Sequence, residues 1–156
     1  MKQTIYFKVD GDDGKNYGLG HIYRSIKIYH LIKKNFKNKF RYIFLSKNLK
    51  EGIQVLKKNS IEKIIFYEKK KFKNYNFRKN DIFIIDTLGK DFSFIKKLNS
   101  INIDNKISFD ELNINNFRSG IIINGILFAK KKLKKKNKVR IYQGEKYIIL
   151  NKNYKK

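Results

Sequence analysis

Four successive apolar residues, Ile82-Phe83-Ile84-Ile85, are closed by Asp86. A strand with one wet face alternates apolar and polar residues; an unbroken run needs apolar neighbours on both faces, as in a central parallel strand. Parallel strands are joined by crossovers that cover the sheet, so this run commits the chain to alternating strands and helices. The rest of the sequence supplies them. Thr4 to Val9 reads as a first strand and His21 to Lys34 as a first helix, with Ile22, Ile26 and Tyr29 on one stripe and Ile28, Leu31 and Ile32 beside it. Arg41 to Leu45 reads as a second strand, followed by a helix from about Leu49 to Lys58 that Gly52 weakens slightly. Ile61 to Tyr67 is a third strand, and a short helix from about Asp91 to Leu98 follows the central run. Lys106 to Phe109, Ile121 to Ile123 and Tyr147 to Leu150 read as further strands. Glu68 to Asn80 lacks a clear period and reads as a loop or irregular helix, and Lys130 to Lys138 as a solvated charge block. The expected fold is α/β, a Rossmann-like parallel sheet with flanking helices, in one domain over residues 1–156.

The formal net charge of +25 would ordinarily point to nucleic acid or an anionic membrane surface. Here the wider composition argues against that reading. Lysine, asparagine, isoleucine, phenylalanine and tyrosine are heavily used, proline and tryptophan are absent, and the only alanine is Ala129. Those preferences follow AT-rich codons. Arginine, whose planar fork reads bases and phosphates better than lysine does, occurs only at Arg24, Arg41, Arg78, Arg118 and Arg140. No cysteine is present, which excludes a disulfide framework, a thiol nucleophile and thiolate metal sites, and fits a reducing cytoplasm. The apolar stretch before Lys8 is too short for a signal peptide, and no stretch reaches membrane-spanning length. A cytoplasmic protein without a membrane span is the expectation.

Ligands of open parallel sheets bind outside the carboxyl ends of the strands, so the residues closing each strand are the first candidates for a site. Asp10 closes the first strand, Asp86 the central one, Asp110 the next and Asn124 the one after, with His21 opening the first helix on the same edge. Among only thirteen acidic residues, three carboxylates at strand ends form a pattern. Helix capping or turn formation would also explain any one of them, Asp110 more readily than Asp10 or Asp86.

Gly18 and Gly20 in Gly18-Leu19-Gly20 permit positive φ and close backbone approach, and the following helix directs unpaired N–H groups outward, which suits an anionic or hydroxyl-rich ligand. Known glycine loops do not fit. The third glycine of a dinucleotide fingerprint is replaced by Tyr23, Gly20 is followed by His21 and Ile22 where a Walker loop has Lys and Ser or Thr, and His21 occupies the position of a calcium loop's glutamate. The positive end of the helix dipole and Arg24 one turn on both disfavour an imidazolium, so His21 is expected neutral. Near Asp10 it could act as a general base; the alternative is a capping or packing role. His30 lies mid-helix with no catalytic neighbour in sequence.

Asp10, a loop of about seven residues and Gly18-Leu19-Gly20-His21-Ile22-Tyr23-Arg24 together resemble the signature of the UDP-sugar hydrolases of pseudaminic acid biosynthesis, relatives of spore-coat polysaccharide proteins with the GT-B glycosyltransferase fold. Ile84-Ile85-Asp86, Ile107-Ser108-Phe109-Asp110, Ile121-Ile122-Ile123-Asn124 and Gly144-Glu145-Lys146-Tyr147-Ile148-Ile149-Leu150 match in order, so the resemblance spans nearly the whole chain. It implies the N-terminal half of a GT-B fold and hydrolysis of a UDP-linked 2,4-diacetamido-2,4,6-trideoxy sugar. His21 would activate the attacking water, while Asp10, Gly18, Gly20, Arg24, Asp86, Asp110 and Asn124 would bind substrate. No cofactor or metal is implied.

The family commonly has histidine and tyrosine after the strand aspartate, where this chain has Thr87-Leu88-Gly89. Family members also carry a second α/β domain for the nucleotide, and this chain stops at Lys156, about where that domain would begin. The partners implied are a UDP-sugar and a separate C-terminal nucleotide-binding domain or chain. Other readings of the same residues are a GT-B glycosyltransferase fragment, a non-catalytic sugar-binding or degenerate module, and a basic nucleic-acid-binding domain.

Overall fold

A computed structural model describes residues 2–12, 18–68, 75–87, 92–111, 114–125 and 138–148. Its strands are β1 (Gln3–Val9), β2 (Phe40–Ser46), β3 (Ile64–Phe66), β4 (Ile82–Asp86), β5 (Lys106–Phe109), β6 (Gly120–Asn124) and β7 (Val139–Gln143). They form one sheet, in the order β3-β2-β1-β4-β5-β6-β7, and every neighbouring pair is parallel. The helices are α1 (Gly20–Phe36), α2 (Lys50–Lys58) and α3 (Phe92–Ser100). The chain therefore has a Rossmann-like α/β fold.

The central run behaves as its composition requires. β4 lies between β1 and β5, and its side chains alternate between two cores. Ile84 joins Phe7, Ile22, Ile26, Tyr29, Phe44 and Leu56, which places α1 and α2 on one face. Phe83 and Ile85 join Tyr6, Leu45, Phe94, Ile95 and Leu98, which places α3 on the other. Stacked rings tie adjacent strands on both faces: Phe7 on Phe44 at 4.6 Å between centroids, and Tyr6 on Phe83 at 4.9 Å. Connections from β1 step outward through β2 to β3, whereas those from β4 step the opposite way. The strand order thus reverses between β1 and β4, where an open parallel sheet leaves a crevice at its carboxyl edge.

Several expectations need correction. The last strand is Val139–Gln143, not Tyr147 to Leu150: Tyr147 ends a 3₁₀ turn, Ile148 is extended, and 149–150 lie outside the described residues. β7 is an edge strand in which Val139 alone is fully buried, so its apolar signal is weak. The third strand shrinks to three residues, and Ile61 packs into the core ahead of it. Leu31 is exposed rather than part of the packed stripe of α1. Residues 75–80 form no helix, while 69–74 and most of the Lys130–Lys138 block lie outside the described residues.

Candidate functional site

β1 and β4 end side by side at the reversal point, with Val9 in register with Asp86. The first turn of α1 stands over them. Helical spacing puts His21 and Arg24 on one face, and both side chains reach the end of β4. His21 Nδ1 lies 2.7 Å from Asp86 Oδ1. Arg24 grips the same carboxylate with two arms, Nε to Oδ2 at 2.8 Å and Nη2 to Oδ1 at 2.5 Å, and extends Nη1 to Asp110 Oδ2 at 2.5 Å. Its guanidinium also stacks over the Phe109 ring, 5.0 Å from the centroid. Burial alone would lower the guanidinium's pKa, but hydrogen bonds and charge from Asp86, then from Asp110, outweigh it and raise the value.

Asp86 is fully buried, so an isolated charge there would be untenable. Ionised, it accepts but cannot donate. The hydrogen on the short contact with His21 therefore belongs to Nδ1, and the 3.3 Å approach of Arg24 Nη2 to the same nitrogen is proximity between two donors. In a neutral ring this tautomer leaves the lone pair on Nε2, which has no partner among the described residues. The carboxylate thereby fixes the orientation and tautomer of the His21 ring.

Asp110 occupies the left-handed region at φ 52, a conformation aspartate tolerates better than most residues. Its backbone N–H donates to the Ile123 carbonyl at 2.9 Å, and its Oδ1 accepts from the Gly125 N–H at 3.1 Å. The turn after β5 is thereby fastened to the end of β6, leaving Oδ2 for Arg24. Asn124, the last residue of β6, is buried, and its carbonyl accepts from the Gly144 N–H at 3.0 Å.

Asp10 belongs to a neighbouring network. Its Oδ2 sits 2.5 Å from Lys8 Nζ, and its Oδ1 accepts from the Lys47 N–H at 2.8 Å, joining the ends of β1 and β2. Lys8 is fully buried, with its ammonium 4.9 Å from the Tyr67 ring centroid. The carboxylate that His21 meets is thus Asp86 and not Asp10. Arg24 likewise does not act on His21 as a bare cation, because two carboxylates match it. The sequence signal for Lys8 is the spacing Lys8-Val9-Asp10, which puts lysine and aspartate on the same side of a strand.

Gly18 has φ 62, as a turn into the helix requires. Gly20 is the first residue of α1, and a Cβ there would meet no described atom within 4 Å. Leu19 at the N-cap offers no side-chain acceptor, so among the described residues no side chain caps the first amides of α1, which lie beside His21. Among the described residues no group of three or more histidine, cysteine or acidic side chains could hold a metal ion, and no helix is long and apolar enough to cross a membrane.

The chain is 28% identical over 151 residues to an uncharacterized protein, MJ1062, of Methanocaldococcus jannaschii; the alignment takes in 93% of this chain and 31% of that protein. The chain thus spans about a third of its relative's length. No protein-family model and no solved structure matches it.

Proposed function

We propose that this chain forms the sugar-side half of a nucleotide-sugar hydrolase, with His21 as the base that activates water. The observation that carries the reading is the His21–Asp86 pair at the strand-order reversal, which holds Nδ1 and leaves Nε2 without a partner among the described residues. Nε2 would take a proton from water as its oxygen attacks the anomeric carbon. The bond from that carbon to the diphosphate oxygen breaks, and the electron pair departs with UDP. Water replaces the leaving group in one displacement from the opposite face, so the released sugar starts with inverted anomeric configuration. The open amides at the start of α1 suit hydroxyl or acetamido oxygens of the sugar. A UDP-linked diacetamido-trideoxy sugar is the substrate suggested by the Gly18-Leu19-Gly20-His21 resemblance. A further domain or chain would supply the nucleotide-binding half, in keeping with the much greater length of the archaeal relative.

The test measures UDP release from a panel of UDP-linked amino sugars, using the chain alone and together with the polypeptide encoded beside it. Release should be lost in His21→Ala, and proton NMR of the first product formed should show the inverted anomer. Retention of configuration, or full activity in His21→Ala, would refute the assignment of the base. No release from any sugar under either condition would remove the hydrolase reading, and release that requires an added sugar acceptor would make the protein a transferase.

A further inference from the structure

A second cavity lies at the opposite, amino-terminal edge of the sheet. Its origin is a mismatch in strand length. β2 pairs with β1 from Phe40 onward, but β3 meets β2 only at Phe44 to Ser46. The outer edge of β2 is bare over its first four residues. Phe44 N–H donates across this edge to the Lys63 carbonyl at 2.9 Å, and strand periodicity directs the Tyr42 amide and carbonyl the same way, into the gap. The gap opens into a cavity of about 690 Å³ bounded by β1, β2, the end of α1 and the chain before β3 and β4. That volume lies within the range of small-molecule sites, roughly 300–1,000 Å³.

Its floor is aromatic and its rim cationic. Tyr29, buried at 3% exposure, meets the Tyr42 ring edge to face at 5.1 Å, and Phe40 adds a ring 6.5 Å from that of Tyr42. The Tyr42 hydroxyl is buried and has no hydrogen-bond partner among the described residues, an unusual state for a phenol with charged groups close by. Lys2, Lys37, Arg41 and Lys63 line the rim, and none is paired with a carboxylate among the described residues. The acidic residue in the lining, Glu62, is matched by Lys33 at 2.9 Å. Alternation along β2 sends Arg41 and Tyr42 to opposite faces, so a ligand against the bare edge would meet a guanidinium on one side and a phenol on the other. A lysine-rich surface alone would give diffuse charge. A buried ring with two half-buried ones beside it, a buried hydroxyl lacking a partner among the described residues and open strand amides define instead a place for a flat ring bearing a strong anion.

We propose that this notch binds a phosphorylated, ring-bearing small molecule of about the size of a nucleoside monophosphate. The phosphate would lie against Arg41 and Lys63, and the ring against Tyr42, whose hydroxyl would gain a partner. The site is separate from His21 and does not depend on its chemistry.

Calorimetric titration of the chain with AMP, adenosine and inorganic phosphate at physiological salt tests this. AMP should saturate one site, with each fragment binding at least tenfold more weakly. Arg41→Gln combined with Lys63→Gln should weaken AMP at least tenfold, whereas Arg140→Gln combined with Lys146→Gln, the same charge change at the far edge of the sheet, should not. Tyr42→Phe should weaken AMP severalfold at an unchanged melting temperature, and His21→Ala should bind it normally. Circular dichroism of each variant separates lost binding from lost folding. Absence of saturable AMP binding, equal weakening by the two double variants, or loss of binding in His21→Ala would overturn the proposal.

Discussion

Asp86 holds both His21 and Arg24 with one carboxylate, and its replacement separates their contributions. Asp86→Asn can still accept a hydrogen bond, but it can also donate one and present His21 with the wrong tautomer. With the hydrolase reading, kcat should fall by about 10²–10⁴, the usual range for a lost general base, with a smaller change in KM. Equal losses in sugar affinity and turnover would instead make Asp86 a binding residue. Asp86→Ala goes further, leaving Arg24 with Asp110 alone. Breaking such a buried pair costs roughly 3–5 kcal/mol, so urea unfolding should show a loss of that order. A loss under about 1 kcal/mol, typical of surface pairs, would mean that the cluster does not hold the crevice together.

Lys106 tests a different consequence of burial. Its ammonium is enclosed, held by the Ile103 carbonyl and, at 3.2 Å, by Ser119 Oγ. Burial lowers its pKa, the charge of Asp104 offsets part of that effect, and Arg118 adds to it. The folded chain therefore releases this proton at lower pH than the unfolded chain, whose lysines titrate near 10.4. Between the two values the unfolded state binds more protons, so stability attributable to this residue rises with pH. The melting temperature of the native chain should gain on that of Lys106→Met as pH is raised from about 7 toward this upper limit of about 10.4. Parallel curves would show that the burial carries no penalty.

Among the elements, α2 shows how tertiary packing can reverse a local preference. By helix propensity Gly52→Ala should stabilise α2 by up to about 1 kcal/mol. In the fold, a Cβ at Gly52 would lie 2.3 Å from the Gly11 carbonyl oxygen and 2.8 Å from Ile22 Cδ1. The loop after β1 would have to move, and overpacking of this kind costs about 1–3 kcal/mol, so the substitution should lower the melting temperature. Gly20→Ala, with open space around its Cβ, should leave stability unchanged or slightly raised; with the hydrolase reading it should slow turnover by crowding the start of α1. A stabilised Gly52→Ala would show that the approach relaxes without cost. The contrast also marks what sequence could reveal. Gly18, Gly20 and His21 were legible because a glycine pair before an amphipathic helix has a local meaning, and β4 was legible because four apolar residues in a row need two covered faces. Gly11 against Gly52, Asp86 against His21, and the notch beside β2 depend on which strands become neighbours. β7 was missed for a related reason: its Val-Arg-Ile-Tyr-Gln pattern is only half buried at the sheet edge, while the more apolar Tyr147 to Leu150 attracted the assignment.

For the whole molecule, the charge of +25 must be reconciled with a stable fold. Folding brings like charges closer than they stand in an expanded chain, so self-repulsion works against the native state. The buried polar clusters are insulated from this. Arg24 is matched by two carboxylates and Lys8 by Asp10, and salt screens such enclosed groups weakly. The exposed lysines are screened strongly, because the Debye length falls from about 10 Å at 0.1 M to about 3 Å at 1 M. Exposed attractive pairs such as Lys33 with Glu62 would be weakened by the same screening, but thirteen acidic residues cannot offset thirty-eight basic ones. Sodium chloride raised from about 0.02 M to about 0.5 M should therefore increase the melting temperature by several degrees, with most of the gain at the low end, where the Debye length changes fastest. Chloride is the right choice of anion, since sulfate would also strengthen apolar burial and obscure the cause. A melting temperature that falls with salt would mean that the surface pairs outweigh the repulsion; a rise that stays linear to high salt would assign the effect to apolar burial rather than to charge.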